Sequence, residues 1–176
     1  MKSLKQYSIP HTGLKIGHHQ FSYEVGGSFF DEFEYSLVKN GALSVELSLE
    51  KQETLMVLDF RIWGTLQVNC DRCLSDFPYQ IDTADRLIAK FSESDDLSDA
   101  EEVVVLGKND VEIDVSSFIY EIINLAAPYV NLCEDPGNTS ACDQETLEKL
   151  KELSVSEENS ESKDPRWDIL KSIKKN

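Results

Sequence analysis

From residue 42 onward the chain alternates apolar and polar side chains with a period of two. Leu43, Val45, Leu47 and Leu49 alternate with Ser44, Glu46, Ser48 and Glu50; beyond Lys51-Gln52-Glu53 the apolar pattern resumes over 55–63, and after Gly64 it begins again over 65–70. This period sends one apolar row to a single face of each strand, and connections this short pair successive strands antiparallel. The expectation is a β-meander whose third strand begins after a break at Gly64 and ends in a cysteine turn. Upstream, Phe21, Tyr23 and Val25 alternate with polar neighbours and stop at Gly26-Gly27, a further half-buried strand. Residues 28–35 place Phe29, Phe30 and Phe33 at helical spacing, a turn or two of helix capped by Ser28 with its aromatics in the core.

Downstream, 79–81 and 86–91 add one or two strands, and 103–106 with 111–113 read as a short pair around Gly107-Lys108-Asn109-Asp110. The pattern then changes period. Val115, Phe118, Ile119, Ile122, Ile123 and Ala126 form the stripe of a helix over 115–127, with Asp114 as its N-cap and Pro128 as its stop. That stripe needs the sheet to cover it. A second helix is expected over 144–153, capped by Asp143 and supported by Glu145 and Lys149 four residues apart. The fold class that follows is α+β, an antiparallel meander covered by one main amphipathic helix.

Charge redraws the ends of this picture. The formal net charge is −16 over 176 residues, and it is concentrated. Residues 92–102 carry −6 and residues 133–164 carry −7, whereas 1–19 hold Lys2, Lys5, Lys15 and all three histidines without an acid. The first acidic run has almost nothing to bury and reads as a mobile loop; the serine- and glutamate-rich 154–163 reads as disordered linker. Asp164-Pro165 then opens a short helical tail over 164–176, with Trp167, Leu170 and Ile173 along one edge. Residues 1–153 are thus expected to form a single domain. The tail is suited either to dock on that domain or to bind a partner.

The same distribution argues against whole classes of function. Phosphate neutralisation needs a basic footprint, and no sizeable one is visible, so DNA binding is not expected and RNA contact falls to a terminus or a partner. No apolar run approaches the roughly 20 residues of a bilayer span, and the first residues lack a signal-peptide core. A cytoplasmic protein is expected. His18-His19 lacks a carboxylate at ligand spacing, the glycines make no phosphate loop, and no catalytic order emerges, so the chain is not expected to be an enzyme.

Four cysteines carry what chemistry there is. Cys70 and Cys73 stand two residues apart on a turn at the end of a strand; Cys133 follows the main helix and Cys142 precedes the next. Two thiolate pairs can complete a tetrahedral zinc site, and a thiolate at a helix start gains from its dipole. Two disulfides, a redox pair at Cys70 and Cys73, or four ordinary buried thiols are the other readings. A tetrathiolate site leaves no open position for water, so such a metal would be structural. Arg72, between the first two, would neutralise the thiolates or contact a partner.

Taken together, the β-rich first half ending in Cys70-Asp71-Arg72-Cys73-Leu74, the polar middle, Ile113-Asp114-Val115 opening a helix, Pro128, a later cysteine pair and the terminal Asp164-Pro165-Arg166-Trp167 resemble the YceD family, in a Bacteroides-type form. The resemblance implies a non-enzymatic factor needed for accumulation or processing of large-subunit ribosomal RNA. Carried over by position, Cys70, Cys73, Cys133 and Cys142 match the family's candidate metal ligands, with zinc as the expected cofactor. The acidic segments suit basic large-subunit ribosomal proteins or assembly factors as partners, and Arg72, with Arg166 and Trp167 of the tail, are the expected contacts. One departure stands out: the second pair is spaced by eight residues, so 134–141 must fold back to bring it together.

Overall fold

The computed structural model describes residues 4–91, 103–107, 109–135, 138 and 142–154. The expected mobile loop at 92–102, the linker at 154–163 apart from Ser154, and the tail at 164–176 lie outside them. The described chain is a mixed α+β fold. Strands β1 (Ser8–Ile9), β2 (Gly17–Val25), β3 (Asn40–Lys51), β4 (Leu55–Asn69), β5 (Asp76–Phe91), β6 (Val103–Leu106) and β7 (Ile113–Asp114) are accompanied by helices α1 (Gly27–Phe30), α2 (Ser116–Ala126) and α3 (Gln144–Leu153). Strands β2 to β6 form one sheet in sequence order, while β1 and β7 make a separate two-stranded sheet.

The period-two pattern explains which face is buried. In register, Leu47 lies opposite Phe60 and Leu49 opposite Leu58, which in turn faces Leu87 on β5. All five side chains are buried, together with Val45, Ile62 and Leu66. Each such side chain removed from water contributes about 1.5–3 kcal/mol before ordering costs. The opposite face carries Ser48, Asp59 and Arg86 in one row, and Arg86 pairs with Asp59 at 2.6 Å across β4 and β5. Burial on one face therefore selects the register, because a slip of one residue would turn every leucine outward.

Four details depart from the expectation. Gly64 does not end a strand: β4 runs through it as one 15-residue element, with Gly64 at φ +138° opposite Leu43. Of the one or two strands expected over 79–81 and 86–91, the structure forms one, a 16-residue strand that includes Pro78. The sheet is not wholly antiparallel, since β6 lies parallel to β5. Residues 111–113 do not pair with 103–106; Ile113 pairs with Ile9 instead, which ties the N-terminal segment to the start of α2. Ser28 lies inside the single turn of α1 rather than capping it, and Gly26 occupies the N-cap position.

Helix α2 buries Ile119, Ile122 and Ile123 and packs near β5. The helix begins one residue later than expected, so Val115 and not Asp114 is its N-cap, although the Asp114 carboxylate accepts from the Ser116 N–H at 2.9 Å. Phe118 reaches Phe60 with ring centroids 5.1 Å apart, and Tyr120 stacks on Phe33 at 4.0 Å. The aromatics of 29–33 are core, as their spacing suggested: Phe29 and Phe30 are buried and Phe33 packs against them. Among the described residues no helix is long and apolar enough to cross a membrane.

Candidate metal centre

Strand β4 ends at Asn69 and β5 begins at Asp76, so the six residues between them must reverse the chain. The turn closes through the Cys70 N–H to the Ser75 carbonyl and the Leu74 N–H to the Cys70 carbonyl, both 2.9 Å. Leu74 adopts φ +61°, a left-handed conformation that costs a non-glycine residue about 1–2 kcal/mol. Cys70 is fully buried and Cys73 is 4% exposed.

Pro128 prevents α2 from continuing, and the residue before it, Ala127, is extended. The chain then crosses to the cysteine turn and is fastened there twice. The Asp71 N–H donates to the Asn131 carbonyl at 2.8 Å, and the Asn131 N–H donates to Asp71 Oδ2 at 2.7 Å. Two residues on, Cys133 is buried. Its loop begins with the Asp135 N–H on the Leu132 carbonyl and the Asn138 amide on the same acceptor. Cys142 arrives immediately before Asp143, whose side chain caps α3 by accepting from the Glu145 N–H at 3.2 Å.

The four sulfurs all lie within 4.8 Å of one another and all four residues are buried. Cys73 and Cys133 approach to 3.6 Å and Cys70 and Cys142 to 4.0 Å, so the close pairs join the early cysteines to the late ones. A tetrahedron with metal–sulfur arms of about 2.3 Å has edges of about 3.8 Å. The cluster is therefore at metal-binding distance, and the eight-residue spacing does not keep the second pair apart.

Its electrostatics split along the same two segments. Although burial works to raise it, the Cys70 thiol is held below its ordinary value by the backbone N–H groups of Cys73, Cys133 and Arg72. The Asp143 N–H, followed by the Ser75 backbone, lowers Cys73 further, to about 6. Burial pushes Cys133 well up and Cys142 to about 11. Four thiolates this close repel one another, and joint ionisation requires a cation among them. The donor set fits a thiophilic metal ion.

Arg72 points away from a purely neutralising role: its guanidinium pairs with Glu134 at 2.8 Å, with both side chains about half exposed. This pair joins the turn to the loop after Cys133. Arg166 and Trp167 lie outside the described residues. His19 Nε2 bonds the Lys15 carbonyl at 2.8 Å and takes no part in the cluster. Sequence reading missed Asn131, which carries no motif; only Asp71, sitting between the cysteines, offered a signal.

The family model described as "Large ribosomal RNA subunit accumulation protein YceD" matches residues 58–174, a span that includes all four cysteines. The chain is also similar to "Uncharacterized protein YlbN" of Bacillus subtilis (strain 168), with 30% identity over 118 residues. That match covers 66% of this chain and 65% of the relative, so the chain spans just under two thirds of the relative's length. No solved structure matches. With the match extending over about two thirds of its residues, the chain belongs to the YceD family.

Proposed function

We propose that this protein is a non-enzymatic cytoplasmic factor that supports accumulation and processing of large-subunit ribosomal RNA, acting through ribosomal proteins or assembly factors. Family membership over residues 58–174 carries this reading. In it, Cys70, Cys73, Cys133 and Cys142 hold a structural zinc ion that fastens the β4–β5 turn to the segment after α2. A zinc ion among four thiolates carries a net charge of about −2 and no open coordination position, so it supplies cohesion rather than hydrolysis. Asp71, Glu134, Asp135 and Asp143 adjoin the cysteines along the chain, which favours contact with basic proteins over direct contact with phosphate. Arg72, and Arg166 with Trp167 in the tail, are the proposed partner contacts.

Depletion of the protein should lower the ratio of large- to small-subunit ribosomal RNA and leave immature large-subunit RNA ends. The tagged chain should co-sediment with large-subunit precursors. An unchanged ribosome profile with no co-sedimentation would end the assembly reading. About one zinc per chain by mass spectrometry, with thiols released on chelation, is the expected metal content.

One observation favours a second reading, a thiol–disulfide protein: the Cys73 thiol is lowered to about 6. Against it, Cys73 is only 4% exposed and a strand rather than a helix follows the motif. Thiol alkylation distinguishes the two. A redox protein modifies rapidly at Cys73 in the native state, whereas a metal clamp modifies only after chelation.

A further inference from the structure

Beside the cysteine turn lies a groove of about 460 Å³ between the segment before β3, the end of β4 and the end of α2. Its walls include Leu37, Leu125 and Tyr129, which are 89%, 81% and 100% exposed. Single exposed apolar side chains are ordinary, but three large ones lining one concavity mark a contact surface. Asn131 also lines the groove, with its Oδ1 buried behind the surface.

Charge decides which class of molecule fits. Asp71 lines the groove, and Asp76, Glu134, Asp135 and Asp143 belong to the segments that build the cysteine turn and its partner loop. Arg72 in that turn is engaged by Glu134. Phosphate would be repelled here, whereas lysine and arginine would be drawn in. Resting on the assembly reading above, we propose that this groove seats a cationic, amphipathic segment of a large-subunit protein. An apolar side chain enters between Leu37 and Leu125, and flanking basic residues lie along Asp71. Because Asp71 and Asn131 hold each other through two hydrogen bonds between the cysteine-bearing segments, the groove keeps its shape only while the cysteine cluster is closed.

The test uses the full chain with a photoreactive benzoylphenylalanine replacing Leu125, or replacing exposed Gln20 on the far face of the sheet as a reference. The probe is the protein fraction extracted, free of RNA, from large ribosomal subunits. Crosslinks from position 125 to one lysine- and arginine-rich segment, at least tenfold above position 20, are expected. They should fall at least tenfold with Leu37→Asp, with Tyr129→Asp and after chelation, while circular dichroism of both variants stays that of the unsubstituted chain. Equal yields at 125 and 20 overturn the proposal. So do crosslinks to the chain's own residues 164–176 or to a second copy, which would name a different occupant. Leu37→Asp chains that still co-sediment with large-subunit precursors overturn the groove's role and leave the assembly reading standing; loss of co-sedimentation by the unsubstituted chain overturns both.

Discussion

Two single residues carry conformational or electrostatic demands that their neighbours do not share. A Cβ on Gly64 would collide with the Ala42 carbonyl oxygen and sit 2.9 Å from Leu43 Cα, and its φ of +138° lies outside the range that other residues favour. Gly64→Ala should therefore destabilise the fold by about 3 kcal/mol, read as a lower urea midpoint at constant slope. His11 is the other. It is 4% exposed, lies 5.4 Å from the Phe91 ring, and its Nε2 is buried with no partner. Burial first, and then Lys51, hold its pKa below the usual histidine value. The folded state consequently binds its proton less readily than the unfolded state. The stability this gives is fully present above about pH 6.5 and is lost as pH falls from there through the folded value. His11→Phe should flatten that part of the stability profile between pH 7.5 and 5.5, measured as the difference from the unsubstituted chain.

At the scale of elements, α3 is the most exposed to loss. Ten residues are too few for a helix to persist by propensity, and only Leu147 is buried along it. Its support comes from the Asp143 cap and the Lys149–Glu145 pair. The cap also orients an N–H toward the Cys73 sulfur. Asp143→Ala should cost about 1 kcal/mol and speed amide exchange in 144–153, and should also loosen metal retention in a chelator competition. Lys149→Ala removes an exposed pair worth a few tenths of a kcal/mol and should leave metal retention unchanged.

Across the whole molecule, the cysteine centre joins parts far apart in the chain, so its effect should be global. Chelation, or Cys133→Ser, should lower the melting temperature by at least about 5 °C, because a metal bound only by the folded state stabilises it by mass action. The proton count gives a second check. With Cys133 raised and Cys142 near 11, both carry protons at pH 7.5, whereas Cys73 near 6 does not. Zinc added to the metal-free chain at that pH should release at least two protons, seen in weakly buffered dye solution, and acidification should expel the ion.

What the sequence determined by itself was everything governed by local periodicity and local chemistry. The alternation over 43–49 named the buried face of β3, the stripe over 115–126 named the buried side of α2, and Asp143 announced its helix. The cysteines named their own chemistry. Tertiary structure decided the rest. Gly64 read as a break because the penalty of glycine is local, while the pairing of β4 with β5 through it is a property of neighbouring strands. Ile113 chose Ile9 over the adjacent 103–106, since the nearer segment had gone to the parallel edge of β5. His11 gave no sign of burial, because a lone histidine near a glycine looks like a turn until Phe91 covers it. Above all, no spacing rule says that sulfurs 60 and 72 residues apart will meet. They meet because Pro128 ends α2 beside the β4–β5 turn and the Asp71–Asn131 bonds close the gap, a juxtaposition that only the packing of helix on sheet can supply.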